Sequence, residues 1–219
     1  MDPVQQLEPY GSCDISDALC KLIDMNIIGH IPNVKLYSPS CSKIRVSGPA
    51  YTVKYVLSSD TTSPKAKVNH VDTAPAGSII VIQAPPSAPN ALFGGLLSTR
   101  AMKVGVKGVV VEGKIRDVTE MREMGFPVWA VSQSTMGAAP FCRSSTVGEP
   151  ITLGAETGWP VTIETGDIIV ADEDGVVRVP IAHVELIASE CARRTEIDRK
   201  CLVDLQNGAT LVETFAKHR

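Results

Sequence analysis

The chain has 219 residues, 44% of them apolar and 21% charged, and 21 basic against 24 acidic side chains leave a net charge of −3. That is enough chain to bury a core without covalent staples, at the composition of an ordinary globular domain. Charge this balanced, with no block of one sign, gives no reason to propose nucleic acid or a membrane surface as partner, and no apolar run reaches the ~18 residues of a membrane span.

The opening MDPVQQLEPYGSCDISDAL has neither the basic nor the apolar segment of a secretory leader. The six cysteines (Cys13, Cys20, Cys41, Cys142, Cys191, Cys201) are scattered without CxxC spacing. Reduced thiols in a cytoplasmic protein are expected, not a zinc site or a disulfide framework.

Residues 11–28 read as a helix, with Ser12 or Asp14 as cap and Ile15, Ala18, Leu19, Leu22 and Ile23 at helical spacing. HIPNVKLYSPSCSKI is a Pro- and Ser-punctuated connection, and RVSGPAYTVKYVL a strand from near Val46 onward. SSDTTSPKAKVN is a polar loop, with a short helix near Val68 to Asp72. PAGSIIVIQA is a turn and a buried strand, which PPSAPNALF cannot continue because prolines remove ladder donors.

Gly94 to Val104 reads as a helix with Leu96, Leu97, Ala101 and Val104 on one face. KGVVVEG is the next strand, apolar without alternation, as when both faces are covered. These pieces predict a right-handed βαβ unit with parallel strands. VTEMREMG is a short helix stopped by Gly125, and FPVWAVS another strand. Short β runs follow, among them STVGEPITLG and WPVTIETGDIIVADEDGVVRVP, with a hairpin at Asp174-Gly175. A last helix spans about Ala182 to Leu205, with Val184, Leu186, Ile187 and Cys191 inward. The whole reads as one α/β domain over residues 1–219.

Arg116-Asp117 follows the buried run GVVVEGKI, and ligands of open α/β sheets gather beyond the carboxyl ends of parallel strands. The crossover helix opens at Gly94-Gly95, where unpaired N–H groups carry partial positive charge and glycine permits close approach. A helix N-terminus and an arginine fork together suit a small carboxylate. Asp117 can hold a hard cation such as Mg²⁺, which would act as a Lewis acid on a 2-oxo acid and stabilise an enolate. An Arg-Asp pair is also an ordinary surface ion pair, worth ~0–1 kcal/mol, and a diglycine also marks a plain turn.

GGLLSTRAMKVGVKGVVVEGKIRDVTEMREMGFPVWA, with GDIIVADEDGVVRVP and the N-terminal CDISDAL, resembles the family named after the regulator of ribonuclease activity A, which includes the 4-hydroxy-4-methyl-2-oxoglutarate aldolases. The resemblance spans roughly residues 10 to 208, and its wording is similar to the fungal branch, whose enzymes are aldolases and oxaloacetate decarboxylases. It implies a swivelling β/β/α domain with a βαβ core, a β-rich second half and helices at both ends. It also implies homotrimers or hexamers with active sites between subunits.

By the same resemblance, Arg116 binds substrate oxygens, Asp117 ligates Mg²⁺ or Mn²⁺, and the backbone of Gly94, Gly95, Leu96 and Leu97 receives the pyruvyl carboxylate. The implied activity is that of a class II, metal-dependent lyase. It would cleave 4-hydroxy-4-methyl-2-oxoglutarate to two pyruvates and decarboxylate oxaloacetate through one pyruvate enolate. Bacterial members carry an acid where this chain has Gly95, and another acid reaches over from a neighbouring subunit's C-terminal helix. Glu196 is the choice here for that second acid, with Asp198 as the other candidate. The alternative is a non-catalytic regulator that binds a ribonuclease. A methyltransferase label also attached to the family finds no GxGxxG loop here.

Other groups carry plainer readings. Lys114 could form a Schiff base only if buried, and solvent exposure is expected. His30, His70, His183 and His218 share no ligand spacing, and His70 beside Asp72 reads as a surface pair. Asp14 and Asp17 cap or solvate the first helix, or line the site. Asp172, Glu173 and Asp174 form a hairpin turn, and Ser98 and Cys142 lack a base.

Overall fold

Four apolar runs lie side by side and parallel at the centre of one sheet. In the computed structural model, which describes residues 2–22, 29–40, 43–86 and 88–219, they are β2 (Arg45–Leu57), β3 (Ile79–Gln83), β5 (Gly108–Ile115) and β6 (Val128–Gln133). Between them fall α3 (His70–Thr73), the short β4 (Ala91–Phe93), α4 (Gly95–Lys103) and α5 (Val118–Met124). Antiparallel β1 (Lys35–Ser38) closes the β6 edge. At the other edge the long β2 serves two partners. Its first half pairs with β10 (Ile168–Asp172), which turns through a hairpin into β11 (Val176–Val179), and its second half pairs with β7 (Cys142–Val147).

The unbroken apolar runs are explained by cover on both faces. Ile80, Ile82, Val109 and Val111 pack with Ala101, Met121 and Phe126 on the helical side. Ile79, Val81 and Val110 pack on the opposite side with the hairpin of β8 (Ile151–Leu153) and β9 (Val161–Ile163). Each fully buried Val or Ile contributes ~1.5–3 kcal/mol. A third core joins β10 and β11 to α1 (Pro3–Leu7), α2 (Ser12–Leu22) and α6 (Val184–Gln206), with α7 (Leu211–His218) packed on α6. This is the mixed α/β fold expected, with a β-rich second half and helices at both ends.

Several expectations need correction. The connection after His30 contains β1; PPSAPNALF does not continue β3, as expected, but its end forms the unanticipated β4, which pairs with β5. Leu96 is 86% exposed and Leu186 49% exposed, so neither faces the core; on a helix, an offset of one residue turns a side chain by about 100°. The first helix is described to Leu22, and its expected continuation through Ile23, like Cys41, lies outside the described residues. Ser12 gives its hydroxyl and N–H to Asp172 at 2.6 and 2.8 Å, while Asp14 accepts the Gly11 N–H at 3.0 Å. Helices α1 and α7 were not anticipated, although Thr210 and Glu213 form the capping box that opens α7.

Candidate active site

Strand β5 delivers Arg116 and Asp117 to the carboxyl end of the sheet. The Arg116 N–H donates to Phe93 O at 3.0 Å, fixing the end of β5 against the segment that leads into α4. Asp117 then turns left-handed, with φ 61° and ψ 36°. Such a backbone costs a non-glycine residue on the order of 1–3 kcal/mol. Asp117 stands at the N-cap of α5 but does not cap it. Its Oδ2 instead accepts the N–H of Gly95, at 3.0 Å, in the first turn of α4. Arg116 Nε lies 3.4 Å from the same oxygen, with both side chains part-exposed. An ion pair in that setting returns ~0–1 kcal/mol, too little to offset the strained turn.

The diglycine is explained by crowding. Gly94 has an extended backbone (φ −157°) that any residue adopts. A Cβ there would fall 2.6 Å from Asp117 Oδ2 and 3.2 Å from Arg116 Cγ. A Cβ on Gly95 would collide with Glu120 Oε2 and lie 3.4 Å from Asp117 Cβ. Two carboxylates and a guanidinium thus press onto the start of α4. Gly94 has no side chain with which to cap that helix, and the first N–H groups of a helix have no partner within it. The cleft in front is lined by Arg116, Asp117, Thr119, Glu120, Ser134 and Thr135.

The structure therefore brings Gly94, Gly95, Leu96, Leu97, Arg116 and Asp117 together. Glu196 stands elsewhere, exposed on α6. There Arg199 at 2.9 Å, with Lys200 further off, holds its carboxyl well below the usual range, at about 2. Asp198 pairs with Arg219 at 2.7 Å. Helix α6 packs on α1, α2 and α7, whereas α4 packs on α3 and α5. The sequence reading missed Glu120 and the Ser134-Thr135 wall. The signal for the wall was its position just past β6, at the ligand-binding edge of the sheet.

Among the described residues, no three His, Cys, Asp or Glu side chains gather as a metal site. The two carboxylates beside the diglycine are hard oxygen donors. They suit Mg²⁺ or Mn²⁺, which keep several waters, and not zinc, which prefers nitrogen and sulfur.

The remaining candidates have structural roles. Lys114 is half-buried, donates to Ala88 O at 2.9 Å, and lines a separate cavity with Gln83, Glu112 and Glu156. Burial pushes the Glu112 carboxyl up, although it accepts the Gly154 N–H. His70 is not a surface residue. It is 2% exposed, edge-on to Tyr55, and burial lowers its pKa to about 4. Asp72 pairs with Arg100 instead. Asp17 meets Arg194 at 2.5 Å, Ser98 donates to Gly94 O, and Cys142 to Asn90. Asp172, Glu173 and Asp174 do form the β10–β11 turn, where Asp172 accepts the Asp174 N–H. The described cysteines are all free thiols, and no helix among the described residues is long and apolar enough to cross a membrane.

Fold and cleft define an α/β protein in which Asp117, after β5, and Glu120, on α5, approach the start of α4. Residues 12–178 match the family model described as RraA-like, Aldolase/RraA, and the chain belongs to that family. It is 27% identical over 198 residues to a Halalkalibacterium halodurans protein provisionally named 4-hydroxy-4-methyl-2-oxoglutarate aldolase, covering 90% of this chain and 86% of that one. It is also 27% identical over 209 residues to the protein DlpA of Legionella pneumophila, covering 95% of this chain but only 32% of DlpA, so the chain spans about a third of that relative. The crystal structure of Streptomyces coelicolor RraAS2, described as an unusual member of the RNase ES inhibitor RraA family, superposes with a TM-score of 0.78 at 24% identity. The match covers 90% of this chain and 95% of RraAS2 and shows a shared fold.

Proposed function

We propose that this chain is a metal-dependent carbon–carbon lyase for small 2-oxo acids. It would cleave 4-hydroxy-4-methyl-2-oxoglutarate to two pyruvates and decarboxylate oxaloacetate to pyruvate. The observation that carries this is Asp117 Oδ2 on the Gly95 N–H at 3.0 Å with Arg116 beside it. A fixed carboxylate and a guanidinium beside one cleft, next to the start of a helix, support this reading. The name of the Halalkalibacterium relative supports the substrate class.

Each group then has a role. The Leu96 and Leu97 N–H groups receive the carboxylate next to the 2-oxo group. Arg116 spends Nε on Asp117 and keeps its terminal nitrogens for a second substrate oxygen. Asp117 is the residue that would hold Mg²⁺ or Mn²⁺. Such an ion, when bound, supplies a Lewis acid for the charge that develops on the 2-oxo oxygen. Both reactions leave electrons on the carbon next to the 2-oxo group, so one electrostatic environment serves both.

A homotrimer or hexamer with sites between subunits belongs to the same proposal. Leu96 is 86% exposed beside the cleft, and a neighbouring subunit would cover it and bring Glu196 or Asp198 of its α6 to the site. The family model, described as Aldolase/RraA, leaves a second reading, a non-catalytic ribonuclease regulator; a shared fold alone does not separate the two. The test is pyruvate release from both substrates above an enzyme-free blank, with Mg²⁺, with EDTA, and in Asp117→Ala. Release that survives both EDTA and the substitution rules out the metal-dependent mechanism. No release from any 4-substituted 2-oxo acid favours the regulator.

A further inference from the structure

We propose that Glu120 carries the proton in the aldol cleavage, taking it from the substrate's 4-hydroxyl group. This rests on the lyase reading above and adds a residue to it. Glu120 lies in the first turn of α5, and its Oε2 lies so near Gly95 that a Cβ there would collide with it. Its carboxylate therefore rests against the same helix start that Asp117 holds. A side chain at position 95 would expel it. The glycine keeps a place for an acid contributed from elsewhere in the chain.

The partners of the cleft's acids separate their roles. Asp117 Oδ2 is engaged by the Gly95 N–H and by Arg116, which fixes the direction of its carboxylate. Glu120 is exposed and has no hydrogen bond or ion pair among the described residues. It is the free carboxylate of the cleft lining. A guanidinium offers donors and no acceptor, and the hydroxyls of Thr119, Ser134 and Thr135 are far too weakly acidic or basic to exchange a proton near neutrality. Among the groups this chain itself contributes to the cleft lining, general base work falls to Glu120.

The proton count is complete. In 4-hydroxy-4-methyl-2-oxoglutarate, Glu120 removes the proton on the 4-hydroxyl oxygen. The C3–C4 bond breaks as that oxygen becomes the keto group of one pyruvate. The bonding pair remains with C3 as the enolate of the other pyruvate. Glu120 then returns its proton to C3, giving the second pyruvate. Oxaloacetate has no 4-hydroxyl: its C3–C4 bond breaks with loss of CO₂, and C3 takes its one proton from water. The two reactions therefore differ in their demand for a base.

The experiment compares kcat for both substrates in the full chain and in Glu120→Gln, and follows Mn²⁺ binding from the EPR signal of the free ion. General base catalysis contributes about 10²–10⁴-fold. The ratio of aldol cleavage to decarboxylation is expected to fall at least tenfold in Glu120→Gln, with Mn²⁺ affinity within about threefold of the unsubstituted chain. A ratio that changes less than tenfold overturns the proposal. So does loss of Mn²⁺ binding, which would make Glu120 a metal ligand. If the unsubstituted chain cleaves neither substrate, the lyase reading itself falls and this proposal with it. If it cleaves both and only the ratio stays constant, the lyase reading stands and the Glu120 role falls.

Discussion

Asp117 Oδ2 accepts the backbone N–H of Gly95 at 3.0 Å across 22 residues of chain. The bond joins the end of β5 to the start of α4, and it needs both the left-handed turn at Asp117 and the missing side chain at Gly94. A carboxylate placed this way gains little from its exposed arginine, and what it gains is a fixed direction toward the cleft.

Asp117→Asn keeps an acceptor for the Gly95 N–H and a residue type that tolerates the left-handed region. Stability is expected within ~1 kcal/mol of the unsubstituted chain by urea unfolding. Pyruvate release is expected to fall at least 100-fold and Mn²⁺ binding to weaken, because the charge is gone. A large loss of stability would make Asp117 structural.

Gly94→Ala tests the crowding. The added methyl meets Asp117 Oδ2 and Arg116 and must displace them. At an N-cap the change costs the helix at most about 1 kcal/mol. The expected result is at least a tenfold fall in kcat/KM with a small change in Tm. Full activity would show that the carboxylate and guanidinium need not sit where they are.

Much of this fold could be read from local pattern, and the reasons are physical. KGVVVEG is apolar throughout because β5 is covered on both faces, and Gly125 stops α5 with a left-handed φ of 67°. Strands β1 and β4 have four and three residues and exist through distant partners on β6 and β5, which no local periodicity records. The same limit hid part of the site. Arg116 and Asp117 announce themselves by following a buried strand, whereas Glu120 looks like any surface glutamate until α5 lies across Gly95. His70 was misread because its neighbour Asp72 turns to Arg100 while the imidazole packs against Tyr55.

His70 gives a pH prediction. Burial lowers its pKa to about 4, and its Nε2 has no partner among the described residues. The unfolded chain takes up this proton near pH 6.5 and the folded chain only near 4. The unfolded state binds more protons in that window, so stability falls as pH drops from 6.5 toward 4 and is fully present above it. The loss is on the order of 3 kcal/mol. His70→Leu should flatten the decline in chemical-denaturation stability across that window. An unchanged slope would place the proton elsewhere.

Asp167 anchors the turn before β10. It is 4% exposed, pairs with Arg178 at 2.7 Å, and accepts the N–H groups of Glu164 and Ile181 at 2.9 and 3.2 Å. Asp167→Ala strands a part-buried guanidinium and two donors, with an expected cost of about 3–5 kcal/mol. Guanidinium or urea unfolding measures it, and a cost under about 1 kcal/mol would mean that solvent takes over those partners.

In the proposed mechanism Asp117 anchors a divalent ion against which a 2-oxo acid is held by Arg116 and the start of α4. A crystal structure of the protein soaked with Mg²⁺ and pyruvate tests this. The expected result is density for the ion on the Asp117 carboxylate, with the pyruvate carboxylate on the Leu96 and Leu97 N–H groups. Pyruvate or the ion bound elsewhere, with Asp117 touching neither, would contradict it.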